Sequence, residues 1–289
     1  MIKSIRSKQI FLIGAIVLLV AFLFTRDIKG LVKPKENPGA AAPAGAQMAP
    51  TATAAINLDE VSTTGKNLLS ASLSAEITSL EQAFKSAPEN QKVSAAKLLA
   101  QKWDDVEQAV PSALYLEVIA DKEPTLNNWL LTGEKFMKAF DNTRDSLLQP
   151  ALLQKANAAY TNAVAIDSTS ADAKTGLGIT IVNGMGAPMQ GIAMLMDVVK
   201  KDPENLKANM SLGTFAIKSG QFDKAITRFN KIIEIKPSPD AYFYLGTAQE
   251  NLGNNEAAID AYLKSKKLAG NATLSKFIDD KVKALKNKN

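Results

Sequence analysis

Three kinds of residue grouping in this 289-residue sequence have types that could do chemistry. The glycine pairs Gly176-x-Gly178 and Gly184-x-Gly186 open like a dinucleotide-binding loop, in which closely spaced glycines let the backbone approach a pyrophosphate. Their third glycine positions hold Ile181 and Met189, and no strand pattern precedes the first pair. Both pairs therefore read as helix-packing and turn glycines. No Gly-x-x-x-x-Gly-Lys-Ser/Thr phosphate loop occurs. The carboxylates of Asp104-Asp105 and Asp279-Asp280 are neighbours in sequence, so on a helix they diverge and form no acid–base pair. Trp103 and Trp129 could stack a ligand, but large aromatics at helical spacing read as core. The chain has neither cysteine nor histidine, which excludes disulfides, thiolate nucleophiles, Cys/His zinc sites and imidazole acid–base catalysis. The expectation is therefore no enzyme, no cofactor and no metal site, and the question becomes what the chain binds.

The elements that would position a binding surface repeat. Gly213, Gly220, Ala225 and Phe229 recur as Gly246, Gly253, Ala258 and Tyr262, each 33 residues on. Each unit reads as two helices joined by a turn at its second glycine, with Pro237 closing the first and Gly270 the second. Gly178, Gly191, Leu195, Val198 and Pro203 fit a third unit whose turn is one residue longer. A fourth has Trp129, Gly133 and Phe136 in one helix and Ala156, Tyr160 and Ala163 in the next, with about 11 extra residues near 141–150. A weaker unit, first in chain order, uses Ala100, Trp103, Ser112, Leu116, Ile119 and Pro124. Upstream, Leu69, Leu73, Ile77, Leu80 and Phe84 make the apolar stripe of a packing helix within 58–91. Downstream, Leu274, Phe277, Ile278, Val282 and Leu285 make the stripe of a capping helix within 271–289.

This pattern resembles the tetratricopeptide repeat, a helix–turn–helix unit of about 34 residues. The resemblance covers roughly 93–270 and is strongest over 206–270. It implies an all-α superhelix, a solenoid over 92–270 whose first helices line a concave groove that binds protein partners. Carried over by register, the inward positions are Lys97, Gln101, Leu130, Glu134, Met137, Thr175, Ile179, Val182, Met210, Thr214, Ile217, Phe243, Thr247 and Glu250. The Lys/Asn set with which some members clamp a terminal carboxylate is not matched. Ile179, Val182, Met210 and Ile217 instead make the middle of the groove apolar, suited to an extended apolar segment or an amphipathic helix. The other reading is that some of these side chains pack between neighbouring repeats.

Charge locates a second partner. The formal net charge is +5, and residues 1–57 contain seven basic against two acidic groups, so 58–289 is balanced. A neutral body does not suit nucleic acid. Gln9–Thr25 carries no charge, and Ile10–Phe24 is a continuous apolar run. At ~1.5 Å per residue it reaches roughly 25 Å, and Lys8 and Arg26 can snorkel to complete the crossing. Lys3, Arg6 and Lys8 would also suit a cleaved signal peptide, but no small-x-small site follows. We read residues 1–29 as an uncleaved single-pass transmembrane helix in the cell membrane, and 30–57, rich in Pro and Ala, as a linker. The soluble part is expected outside the cytoplasm (the periplasm of a Gram-negative cell), although basic residues flank both sides of the span. From Lys264 onward eight lysines face two aspartates, either a solvated helix end or a docking patch for an acidic partner or lipid headgroups. Taken together, the sequence describes a membrane-anchored scaffold or assembly factor that binds a protein in its groove. The alternative is a self-associating structural tether, a homo-oligomer without a dedicated ligand.

Overall fold

The structure is a computed structural model that describes residues 56–287, all within one unit of the chain spanning 49–289. The expected anchor and nearly all of the linker lie outside the described residues. Among the described residues no helix is long and apolar enough to cross a membrane.

Every element among the described residues is a helix: α1 (Leu58–Lys66), α2 (Ala71–Ser86), α3 (Glu89–Asp105), α4 (Ala109–Lys122), α5 (Leu126–Asn142), α6 (Leu148–Ile166), α7 (Ala171–Gly184), α8 (Pro188–Lys201), α9 (Leu206–Lys218), α10 (Phe222–Ile235), α11 (Pro239–Asn251), α12 (Asn255–Ala269) and α13 (Ala272–Lys286). Helices α3 to α12 form five antiparallel pairs. The first helices α5, α7, α9 and α11, and the cap α13, start at Thr125, Ser170, Asn205, Ser238 and Asn271, whose side-chain oxygens accept a first-turn N–H. The second helices α4, α6, α8, α10 and α12 have no side-chain cap. Three of them leave a tight turn that closes on the preceding helix: the N–H of Gln108, Gln221 and Asn254 donates to the carbonyl of Trp103, Ala216 and Gln249 at 2.9, 2.8 and 3.0 Å. That turn needs a left-handed residue, supplied by Gly220 (φ 73°) and Gly253 (φ 78°), but in the first pair by Glu107 (φ 58°).

Within a pair, the glycine of the first helix sits on the aromatic ring of the second. A Cβ on Gly213 would lie 2.7 Å from the Phe229 ring, and one on Gly246 2.8 Å from that of Tyr262. In α7/α8 two glycines meet instead, and a Cβ on Gly191 would lie 2.5 Å from the carbonyl oxygen of Gly178. Most of the extra residues of the second pair lengthen its helices, so α5 has 17 residues and α6 has 19, and the rest lengthen the loop 143–147.

The segment 58–91 holds two helices, α1 and α2, and the first turn of α3. Leu58 and Val61 of α1 pack on the cluster of Ala109, Leu114 and Phe136, so α1 docks on α4 as well as on α2. A buried polar joint fixes it there: Lys66 Nζ is 2.7 Å from Glu81 Oε2, and the Ser62 hydroxyl donates to the same carboxylate. At the other end, Ile278, Val282 and Leu285 of α13 are buried against Tyr262 and Ala258, while Phe277 remains 48% exposed. The far side of α13 presents Lys276, Asp280, Lys283 and Ala284, all exposed, so the array ends on a polar face.

Candidate functional site

Besides packing on their sequence neighbours, the first helices meet one another, α5 with α7, α7 with α9 and α9 with α11. They form the inner layer of the array, and the second helices lie outside it. Along most of this layer the expected groove positions are already engaged with their own protein. Lys97 pairs with Glu123 at 3.1 Å, and the Gln101 side chain donates to Asp105 at 2.7 Å. Leu130 packs beside Trp129, and Val182 packs in the cluster of Leu195 and Val198. Met210 and Ile217 are half-buried around Phe229. The hydroxyls of Thr214 and Thr247 donate to the Ser211 and Phe243 carbonyls at 3.0 and 3.1 Å.

Thr175 is not a groove residue. It is fully buried, because α5 and α9 both pack against α7, and the Glu134–Lys207 ion pair (2.9 Å) joins those two helices across it.

Three expected positions come together where the layer opens. Glu134, Met137 and Ile179 line a cleft of about 380 Å³ between α5, α7 and α9, with Lys138, Asp141, Asn142, Tyr160, Gly176 and Lys207. At its base lies the Tyr160 ring, held between two glycines: a Cβ on Gly133 would lie 2.9 Å from it, and one on Gly176 2.2 Å. Tyr160 is 1% exposed, and its hydroxyl has no hydrogen-bond partner among the described residues. Burial, together with the charges of Glu134 and Asp172, raises this phenol above its ordinary pKa, so it is neutral at pH 7. Asp141 makes no ion pair within 4 Å among the described residues. Although it is exposed as a residue, the protein around its carboxyl desolvates it enough to raise its pKa, against the pull of the Lys218 ammonium.

The equivalent place at the end of the array is closed. The Tyr262 hydroxyl donates to Glu250 Oε2 at 2.6 Å and lies 3.3 Å from Thr247 Oγ1, and Lys281 Nζ lies 2.8 Å from the same Glu250 oxygen. Phe243 and Phe277 cover it, 6.0 Å apart between ring centres. Glu250 stands four residues after Gly246, and the residue four after Gly133 is Met137. Met137 cannot accept the phenol's proton, and that difference leaves Tyr160 open.

The tetratricopeptide repeat family profile matches residues 212–272, which cover most of α9 through α12. This segment is tetratricopeptide repeat. It contains the two units whose glycine and aromatic spacing is most regular. Among solved structures, the crystal structure of the MamA protein is similar at 22% identity, covering 62% of this chain and 92% of that chain, with a TM-score of 0.45. MamA from Desulfovibrio magneticus RS-1 is similar at 15% identity, covering 61% and 94%, with a TM-score of 0.46. The crystal structure of YrrB, described as a TPR protein with an unusual peptide-binding site, is similar at 14% identity, covering 70% and 97%, with a TM-score of 0.43. No curated protein sequence matches the chain.

Sequence reasoning did not find Tyr160, Asp141 or Asn142 as site residues. Tyr160 holds the position of a core aromatic, and only Met137 in place of a carboxylate signals that its hydroxyl is free. Asp141 and Asn142 belong to the extra residues that lengthen α5. Among the described residues no cluster of acidic side chains could hold a metal ion.

Proposed function

We propose that this chain is a membrane-anchored helical-repeat scaffold that binds a protein partner on its inner face. The observation that carries the reading is the opening in the layer of first helices, where Met137 and Ile179 present apolar surface beside a buried phenol without a partner. Such a surface suits an extended segment better than a helix, because the cleft is at the small end of ligand-pocket sizes, ~300–1,000 Å³. The anchor reading rests on the apolar run Ile10–Phe24 with its flanking Lys8 and Arg26; an array on the outer side of the cell membrane is part of the same proposal. No catalytic role is assigned to any residue. The polar outer face of α13 supports a scaffold with a ligand over a tether that stacks through its ends.

The test is capture by the full-length chain in intact cells. A photoreactive residue at Ile179 should yield a discrete crosslinked protein adduct, and Ile179→Asp should abolish binding of the protein so identified. Binding of that protein by folded Ile179→Asp at full affinity would sink the reading.

A further inference from the structure

The cleft also indicates what chemistry the partner brings, an inference that rests on the inner-face reading above. The sealed end of the array shows how a phenol at this position is completed. There the Tyr262 hydroxyl donates to Glu250 Oε2 at 2.6 Å, and the Lys281 ammonium holds the same oxygen at 2.8 Å. At Tyr160 the donor is present and the acceptor is not. Met137 stands in the place of Glu250, four residues after the paired glycine. Glu134, in the place of Thr247, turns to Lys207 at 2.9 Å. The Asn142 side chain also lines the cleft, can donate through its amide nitrogen, and has no hydrogen-bond partner among the described residues.

The cations that would hold an acceptor already stand beside the cleft. Lys207 is matched by Glu134, and Lys218 is matched by Asp141, on which its ammonium pulls. Lys138 is the surplus. It lies 3.6 Å from Asp104, whose carboxylate is already held by Lys135 at 2.6 Å. One positive charge is therefore left over at the rim. A carboxylate entering the cleft neutralises it, whereas a second cation would add to it. Met137 and Ile179 wall the way in, so the acceptor must ride on an apolar stem.

We propose that the cleft receives a glutamate side chain from an extended segment of the partner protein, its carboxylate accepting from the Tyr160 hydroxyl and the Asn142 amide while its methylenes lie on Met137 and Ile179. The partner's carboxylate takes the place that Glu250 fills within the chain at the other site. Glutamate fits better than aspartate because its second methylene carries the carboxylate past Met137 to a buried hydroxyl. Charge-assisted hydrogen bonds from two neutral donors offset the loss of its water.

The test uses the full-length chain in detergent micelles, labelled with 3-fluorotyrosine, which gives five ¹⁹F signals, one for each tyrosine. Tyr160→Phe assigns the signal of interest. The probes are blocked peptides, acetyl-Ser-Ala-X-Ala-Ser-amide, with X as glutamate, glutamine or arginine. A fourth probe is the glutamine peptide with a free C-terminal carboxylate, which has the net charge of the glutamate peptide. The glutamate peptide should move the Tyr160 signal saturably, and the glutamine peptide should bind at least about 10-fold more weakly, with or without its free terminus. The arginine peptide should not move the signal. Met137→Glu copies the Glu250 arrangement within the chain. It should move the Tyr160 signal in the same direction with no peptide present, leave the other four signals in place, and remove the response to the glutamate peptide. The proposal is overturned if the glutamate peptide leaves the signal still, if any other probe binds as well, or if Met137→Glu keeps the full response. Should the Tyr160 signal stay still while Ile179 still crosslinks a partner, the glutamate pocket fails and the inner-face reading stands. Loss of both removes the scaffold reading as well.

Discussion

Tyr160 and Tyr262 occupy the same place in two repeats, each pressed against the glycine of its partner helix, yet one hydroxyl is open and the other sealed. The difference comes from one neighbour. Glu250 accepts the Tyr262 proton and is itself held by Lys281 of the capping helix, whereas Met137 gives Tyr160 nothing. A helical-repeat framework needs only the ring at this position for its packing. The hydroxyl is left over for other uses: at Tyr262 it is bonded within the chain, and at Tyr160 it has no hydrogen-bond partner among the described residues.

The largest effect expected is on packing. Gly176→Ala would push a methyl into a ring that Gly133 clamps from the other side, so neither neighbour can yield. It should cost about 3 kcal/mol in urea unfolding. Gly246→Ala meets the Tyr262 ring from one side only, and the gain in helix propensity offsets part of the clash. It should cost about 1 kcal/mol. Equal costs would mean that the Tyr160 ring is not gripped as described.

Hydroxyl deletion reads the contrast directly. Tyr262→Phe breaks a hydrogen bond to a charged carboxylate and should lose about 1.5–2 kcal/mol. Tyr160→Phe breaks none and should stay within about 0.5 kcal/mol of the parent by the same measurement.

The two ends of the array also differ at their turns. Glu107 holds a left-handed conformation that Gly253 supplies at the other end, so Glu107→Gly should stabilise the chain by about 1 kcal/mol. A loss of stability would show that the Glu107 side chain compensates its backbone.

The smallest effect is a matter of pH. The Asp141 carboxyl is raised in the folded chain, so its ionisation opposes folding in full above that raised value; the penalty lifts as pH falls through it and is gone below the ordinary carboxylate pKa. Asp141→Asn should therefore raise the melting temperature at pH 7 and leave it unchanged near pH 3. The opposite sign holds for Asp104, whose carboxyl is lowered chiefly by its hydrogen bond to Lys135. It contributes stability above the ordinary carboxylate pKa that is lost as pH falls through its lowered value.

The contrast also shows which features the sequence could reveal. The 33-residue spacing from Gly213/Phe229 to Gly246/Tyr262 is written in local residue types, because a glycine under a ring is a contact between positions of fixed separation. The first pair is harder to read, since Glu107 stands where a glycine would announce the turn. Thr175 misleads for a different reason. Its burial depends on α5 and α9 closing over α7, a relation among three repeats that no single repeat pattern records. The cleft is less legible still. It needs a missing carboxylate at position 137 and the helical extension that carries Asp141 and Asn142, and both are departures from the repeat rather than part of it.

The proposed function turns on the opening in the inner layer as the place where a partner binds. Its most direct test places a photoreactive residue either inside, at Ile179, or outside, at Met189 of α8, which is 73% exposed, in the full-length chain within intact cells. A discrete crosslinked protein is expected from Ile179 and none from Met189. Adducts from Met189 alone would contradict it.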